Sequence, residues 1–282
     1  MTAAFDLDRY LTRIGYAGPT AATRATLAGL VAAHTAAIPF ENLDVPARRP
    51  IQLGIGPLQD KLVAARRGGY CFEQNALFLA ALRAVGFTAA GLIAHVRLGI
   101  PPEVEMSRSH MILRVELPEG PHLADVGFGG LTPTGPLALG SNAAQATPHE
   151  SYRLVAAGGE TMLQARLGED WRDVYGFDGQ VQRPVDYEVA NWFTSTHPSA
   201  PFLGNVIASR PVAGERRTLF NWRFVRRRIG QAPEPRILGS MAEYHQVLDT
   251  EFGLEPDSAA RAAIEGVLAQ RAPDAPAMGP FA

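Results

Sequence analysis

RRGGYCFEQN, residues 66–75, holds the only cysteine of a 282-residue chain. Two glycines stand directly before the thiol, and an apolar run, NALFLAALRAVGF (75–87), follows it. The spacing predicts a helix that begins near Cys71 and stops at Gly86, where a C-cap glycine belongs. A thiol at a helix start lies against unpaired backbone N–H groups and the positive end of the helix dipole, and both favour the reactive thiolate. Gly68 and Gly69 remove side chains just ahead of it, so a second molecule could approach the sulfur closely. A lone cysteine is also among the most buried residue types and packs as a small hydrophobe. Position alone therefore leaves a nucleophile and an inert core thiol both open.

A nucleophilic cysteine needs a base, and the base needs an orienting group. The histidines are His34, His95, His110, His122, His149, His197 and His245. His110 opens a strand-like segment, HMILRVEL (110–117), after the polar stretch MSRS. Asp125 lies among apolar residues in LADVGFGG (123–130), and a buried carboxylate there needs a partner such as a histidine N–H. A strand-end surface histidine and a capping aspartate are the plainer readings of the same two residues. A symmetric hairpin centred on PEGP (118–121) sets Asp125 opposite Leu113 to Val115, so contact with His110 calls for a bulge, a shifted register or non-neighbouring strands.

Outward from these segments, Leu7, Tyr10, Leu11 and Ile14 have helical spacing, and TAATRATLAGLVAAHTAAI (20–38) reads as a helix ended by Pro39. A short helix is expected over residues 60–67, while IPFENLD (38–44) is too brief to assign. From residue 87 on, branched residues and turn signals predict antiparallel strands, with a hairpin at Gly158 and Gly159. The pattern from Pro184 to Trp192 is ambiguous. The last 80 or so residues mix strands in RTLFNWRFVRRRIG (217–230) with a helix in SMAEYHQVLDTEF (240–252), and the tail QRAPDAPAMGPFA (270–282) is expected to be poorly ordered. With 46% hydrophobic and 19% charged residues, the chain has the balance of a globular protein. A net charge of −2 gives no footprint for nucleic acid. One cysteine excludes a disulfide scaffold. No signal peptide and no run of about 18 apolar residues is apparent, so no membrane span is expected and the cytoplasm is the expected location. No Cys/His cluster has zinc-ligand spacing, and no metal is expected. Basic residues are arginine except for Lys61, as in GC-rich bacterial coding.

RRGGYCFEQN, SHMILRV (109–115) and LADVGFGG, with the upstream IPFENLD, closely resemble the arylamine N-acetyltransferases. The resemblance is strong over residues 38–130 and weaker at STHPSAPF (195–202). It implies an α+β fold in three parts: a helical bundle (1–86) carrying the nucleophile, an antiparallel β-barrel-like domain (87–185) carrying histidine and aspartate, and an α/β lid (186–282), around a cysteine-protease-like core. Carried over by residue, the triad is Cys71, His110 and Asp125, which implies that the last two meet despite the hairpin register. The implied reaction is ping-pong transfer of acetyl from acetyl-CoA, through acetyl-Cys71, to an arylamine, hydrazine or arylhydroxylamine. Gly127, Gly129 and Gly130 become CoA contacts, their N–H groups forming an anion nest. Phe128 and Phe202 become walls of the substrate pocket, and Glu73 and Asn75 become supports of the nucleophile helix. VRRRIG (225–230) could attract the 3′-phosphate of CoA, although charge runs are more often solvated faces. Oligomeric state is left open.

An amide synthase of the same family, closing a macrolactam from a carrier-bound polyketide, is the alternative with the same triad. A thiol protease or transglutaminase-like enzyme would use it too, but IPFENLD and DVGFGG argue against that. A non-catalytic CoA-binding protein with an inert Cys71 is the remaining alternative, and ordinary alkylation kinetics would mark it.

Overall fold

The computed structural model describes residues 4–272. Helices α1 (Leu7–Ile14), α2 (Arg24–Ala37), α3 (Ile55–Leu58) and α4 (Cys71–Val85) form the N-terminal bundle, with α3 running into a π-helical turn, Gln59–Ala64. Asp6 and Thr23 cap α1 and α2 by accepting from Arg9 N and Thr26 N. Gly86, at φ +104°, ends α4 where the spacing predicts.

The middle of the chain is an eight-stranded, barrel-like antiparallel sheet. Its strands are β2 (Thr88–Val96), β3 (His110–Leu117), β4 (Gly120–Ala124), β5 (Leu137–Ala138), β6 (Gln145–Ala146), β7 (Ser151–Ala157), β8 (Glu160–Leu167) and β9 (Asp170–Phe177), in the order β5-β4-β3-β2-β9-β8-β7-β6. Helix α5 (Pro184–Thr196) leads to the lid. There β1 (Phe40–Glu41), β10 (Ile207–Val212), β11 (Glu215–Phe220), β12 (Arg223–Arg228) and β13 (Glu234–Ile237) make a second antiparallel sheet. Helices α6 (Met241–Val247) and α7 (Ser258–Leu268) back it.

Strand alternation sorts the core. Met111, Leu113 and Val115 face the bundle and pack with Phe72, Phe78 and Leu82, whereas Ile112 joins Leu92, Leu163 and Tyr175 inside the barrel. A third core lies under the lid, where Leu219 and Phe224 meet Tyr244, Phe252 and Ile264.

The first lid strand comes from the segment ahead of Cys71. Phe40 and Glu41 pair with Ser209 and Ala208, and Asn42 joins the lid by accepting from Ile207 N (2.8 Å) and donating to Asn205 O (2.8 Å). The same segment lies along the glycine pair, with Glu41 N donating to Gly69 O at 3.1 Å. A Cβ at Gly68 would sit 2.2 Å from Pro39 O, and one at Gly69 would sit 2.8 Å from Glu73 Oε2. The space beside these glycines is thus filled by the chain's own backbone and Glu73, so close packing, rather than an approach route to the sulfur, is what requires them.

Two expectations change. The ambiguous stretch from Pro184 is helix α5, started by proline and by Asp186 accepting from Arg183 N at 2.8 Å. The 60–67 helix is the π-helical turn, ending at Ala64. Of the tail expected to be poorly ordered, residues 273–282 lie outside the described residues, while Arg271 donates to Gly204 O at 2.6 Å.

His34 is a core residue. Gln74 Oε1 can only accept, so His34 Nε2 donates to it (2.7 Å), and Nδ1 then accepts from the Tyr10 hydroxyl (2.8 Å). Burial lowers this imidazole from 6.5 to about 4, with Gln74 opposing only in part. A histidine with a depressed folded pKa gives stability above its unfolded value and loses it as pH falls. Between pH 6.5 and 4 the chain should lose roughly 3 kcal/mol from this group. Urea unfolding of wild type and His34→Met at several pH values checks this, since the variant should lack that slope.

Candidate active site

Cys71 is the first residue of α4, is 4% exposed, and as a thiol donates from Sγ to Ser109 O at 3.6 Å. The next residue on that strand edge, His110, is buried, and its Nε2 donates to Asp125 Oδ2 at 2.7 Å. With Nε2 so engaged, Nδ1 is the ring nitrogen left for the thiol. Burial pulls the imidazolium down, but the Asp125 carboxylate and a hydrogen bond with Cys71 outweigh it and raise His110 from 6.5 to about 10. Asp125 moves the opposite way: burial raises it, and His110, Asn75 and Gly127 together hold it below the usual carboxylate value.

Of the three devices anticipated from the sequence, the hairpin uses one, a shifted register. Leu117 pairs with Gly120, so the turn is centred one residue before the centre of PEGP, and Ala124 lies opposite Leu113. Strand β4 stops there. Continuing the register by one residue would put Asp125 opposite Ile112, on the same face as His110 and diagonal to it. Asp125 then leaves the sheet because its own Oδ1 accepts from Gly127 N at 2.9 Å, an Asx-type turn.

Asn75, one turn along α4 from Cys71, fastens this turn to the helix. It donates to Asp125 Oδ1 (3.0 Å) and Met111 O (2.7 Å) and accepts from Val126 N (3.1 Å). Behind the thiol, Glu73 accepts from Tyr70 N at 3.0 Å, closing the start of α4. Glu73 is buried, and burial raises its pKa while Lys61, at 2.7 Å, opposes that. Lys61 also meets Asp44 at 2.6 Å, and Arg67 meets Glu41 at 2.6 Å and Asp44 at 3.3 Å. The charged residues of IPFENLD and the arginine before the glycines thus form one ionic cluster beneath the helix start. The Tyr70 hydroxyl is bonded to Asn191 of α5.

The model of the N-acetyltransferase family matches residues 23–261. The arylamine N-acetyltransferase of Escherichia coli K12 is 41% identical over 254 residues, covering 90% of each chain. The chain belongs to the arylamine N-acetyltransferase family. The arylamine N-acetyltransferase / N-hydroxyarylamine O-acetyltransferase of Salmonella typhimurium is 40% identical over 88% of each chain. The Mycobacterium marinum arylamine N-acetyltransferase in complex with CoA superposes with a TM-score of 0.89 at 37% identity, over 93% of this chain and 99% of that one.

For this arylamine N-acetyltransferase family member, the other residues singled out in the sequence divide. Gly127 packs on helix α4: a Cβ there would stand 2.8 Å from Cys71 Cα. Its amide is committed to Asp125, and that of Gly129 (φ +89°) to Thr132 Oγ1 at 2.7 Å. Gly130 alone of the three lines a cavity of about 690 Å³ between barrel and lid. Phe128 sets its ring edge-on to His110 at 5.1 Å, and Phe202 packs on Tyr70 at 5.6 Å. Cys71, His110 and Asp125 do not line the cavity, whose wall continues from Gly130 and Leu131. Among the described residues no group of acidic, histidine and cysteine side chains could hold a metal, and no helix is long and apolar enough to cross a membrane.

Tyr175 was not foreseen. It is buried, packs on the His110 ring at 5.0 Å, and has its hydroxyl beside the Asp125 carboxylate without a hydrogen bond of normal geometry. Its segment, WRDVYGFD, carries no motif, and only the pairing of Tyr175 with Val96 brings it to the site.

Proposed function

We propose that the chain transfers the acetyl group of acetyl-CoA to arylamines, hydrazines or arylhydroxylamines, through an acetyl-cysteine at Cys71. The observation that carries this reading is the 2.7 Å His110–Asp125 hydrogen bond beside a thiol at a helix start. Family membership and the CoA complex of a relative support CoA as the donor's carrier and favour this over the amide synthase. A donor made inside cells also favours a cytoplasmic setting. The reaction sits where the three parts expected from the sequence (1–86, 87–185 and 186–282) come together.

The reacting form pairs the Cys71 thiolate with an imidazolium at His110, the charged state that Asp125 favours on the ring. Cys71 Sγ attacks the thioester carbonyl, and the developing oxyanion is met by backbone N–H groups at the start of α4, that of Cys71 among them. The CoA–sulfur bond breaks, and the departing sulfur takes the proton from His110, leaving acetyl-Cys71 and a neutral imidazole. The acceptor nitrogen, uncharged at neutral pH, attacks the acetyl carbonyl. His110 takes the N–H proton as Cys71 leaves as thiolate, and the starting ion pair is restored. Asp125 orients the ring throughout, and Asn75 and Gly127 hold Asp125.

Intact-protein mass spectrometry after brief exposure to acetyl-CoA tests this. One acetyl group should appear, be absent in Cys71→Ala, and be discharged by an added arylamine. An unmodified wild-type chain, or an adduct that survives the variant, would sink the reading.

A further inference from the structure

The lid sheet presents two faces, and its arginines divide between them. On the face turned to α6 and α7, Arg226 is paired with Glu251 at 2.5 Å and Arg228 with Glu215 at 3.3 Å. On the face turned to the barrel, Arg216 and Arg227 are cross-strand partners. Arg216 is buried, and its Nε meets Glu150 Oε1 at 2.8 Å while its Nη2 donates to Thr132 O at 2.9 Å. Arg227 is half-buried on the cavity wall and makes neither hydrogen bond nor ion pair with any described residue. Burial works against its charge, and Glu150 and Arg216 act on it from a distance with opposite signs. Arg223 stands on the same face without an ion pair to any described residue but does not line the cavity, so Arg227 is this face's cavity-lining guanidinium without a counter-ion.

The rest of the cavity adds to that charge through Arg97. Arg172 also lines it, but it is paired with Asp170 at 3.0 Å, and the lining holds a single acid, Asp173. Arg97 spends its donors on the carbonyls of Val104 and Pro101 at 2.7 Å, which satisfies its hydrogen bonds without neutralising it. Partly desolvated and uncompensated, such a group favours an anion. Since none of Cys71, His110 and Asp125 lines the cavity, a ligand held at Arg227 must be long enough to reach the thiol past Gly130. That suits the phosphate-bearing tail of the donor better than a carboxylate on a small acceptor.

We propose that Arg227 binds a phosphate of the acyl donor and sets the preference for phosphorylated thioesters over neutral acyl donors. The inference rests on acetyl-CoA being the donor. The test compares acylation of Cys71 by acetyl-CoA and by p-nitrophenyl acetate, which carries no phosphate. For Arg227→Gln, the KM for acetyl-CoA should rise about 30-fold, the loss of one charge-assisted hydrogen bond. Acylation by p-nitrophenyl acetate should change less than twofold. Arg227→Lys should recover part of the loss, Arg226→Gln should stay near wild type, and the salt dependence of the acetyl-CoA reaction should weaken in Arg227→Gln. An unchanged KM for acetyl-CoA, or an equal loss with both donors, would overturn the assignment. So would a defect confined to the second half-reaction with a carboxylated aniline but not a neutral one. Failure of the wild-type chain to be acylated by either donor would overturn the transferase reading and this inference together.

Discussion

Replacing Asp125 by asparagine should slow acylation of Cys71 by ~10³- to 10⁴-fold while leaving the chain folded. The reason lies in the two donors that fix the Asp125 side chain. Asn75 Nδ2 and Gly127 N both point at Oδ1, so that position must stay an acceptor in the variant. The amide oxygen therefore takes it, and the amide NH₂ is turned toward His110 Nε2, where the wild-type carboxylate accepts at 2.7 Å. An NH₂ there forces Nε2 to accept and moves the ring proton to Nδ1. His110 also loses the carboxylate that offsets burial and holds it at about 10. The imidazolium beside the sulfur is no longer favoured, and acylation slows with it. Single-turnover acylation by acetyl-CoA, with a melting curve alongside, measures both halves of the expectation. A loss under tenfold would show that Asp125 does not set the state of His110.

The second large effect concerns stability. Lys61→Met should destabilise the fold by about 3–5 kcal/mol, chiefly the cost of leaving the buried Glu73 without its cation, since Asp44 keeps Arg67. Glu73 and Asp44 both depend on Lys61, at 2.7 and 2.6 Å, and the Lys61 side chain is itself only 18% exposed. The sign of the pH dependence follows from Glu73, whose pKa burial already raises. Without Lys61 it rises further, so the deficit of the variant should be greatest where Glu73 is ionised and should narrow as pH falls and Glu73 takes up a proton. Glu73→Gln in the Lys61→Met background should recover part of the loss. Urea unfolding at two pH values, with the double mutant, reports it, and a deficit independent of pH would assign the effect to packing.

Much of this was legible because it is local. The helix from Cys71 to Gly86 and the β3–β4 hairpin are written in periodicity and turn residues close in sequence. The failures share a cause, since each depends on what lies across a contact. LADVGFGG continues as an apolar strand in pattern, yet the side chain of Asp125 ends the strand at Ala124 by capturing Gly127 N. Helix α5 was hidden because its amphipathicity is inverted: it buries Asn191, Thr194 and Ser195 and exposes Val185, Val189 and Trp192. Strand β13 was missed because all four of its residues are exposed and show no alternation. Gly68 and Gly69 were read as an opening beside the sulfur, although neighbouring protein atoms fill the space. A glycine announces that something is close without saying what. The ionic cluster left one faint trace, the chain's single lysine placed 12 residues before Glu73 in an arginine-rich sequence.

Because Phe40 and Glu41 complete the lid sheet while the same segment binds Gly69, the lid is not an appendage. Separating it would unpair a sheet edge and leave the Ile207 amide without the Asn42 acceptor that satisfies it. The lid and helix α4 should therefore open as one cooperative unit, with the amides of β10 and of the first turns of α4 exchanging their hydrogens at matched free energies.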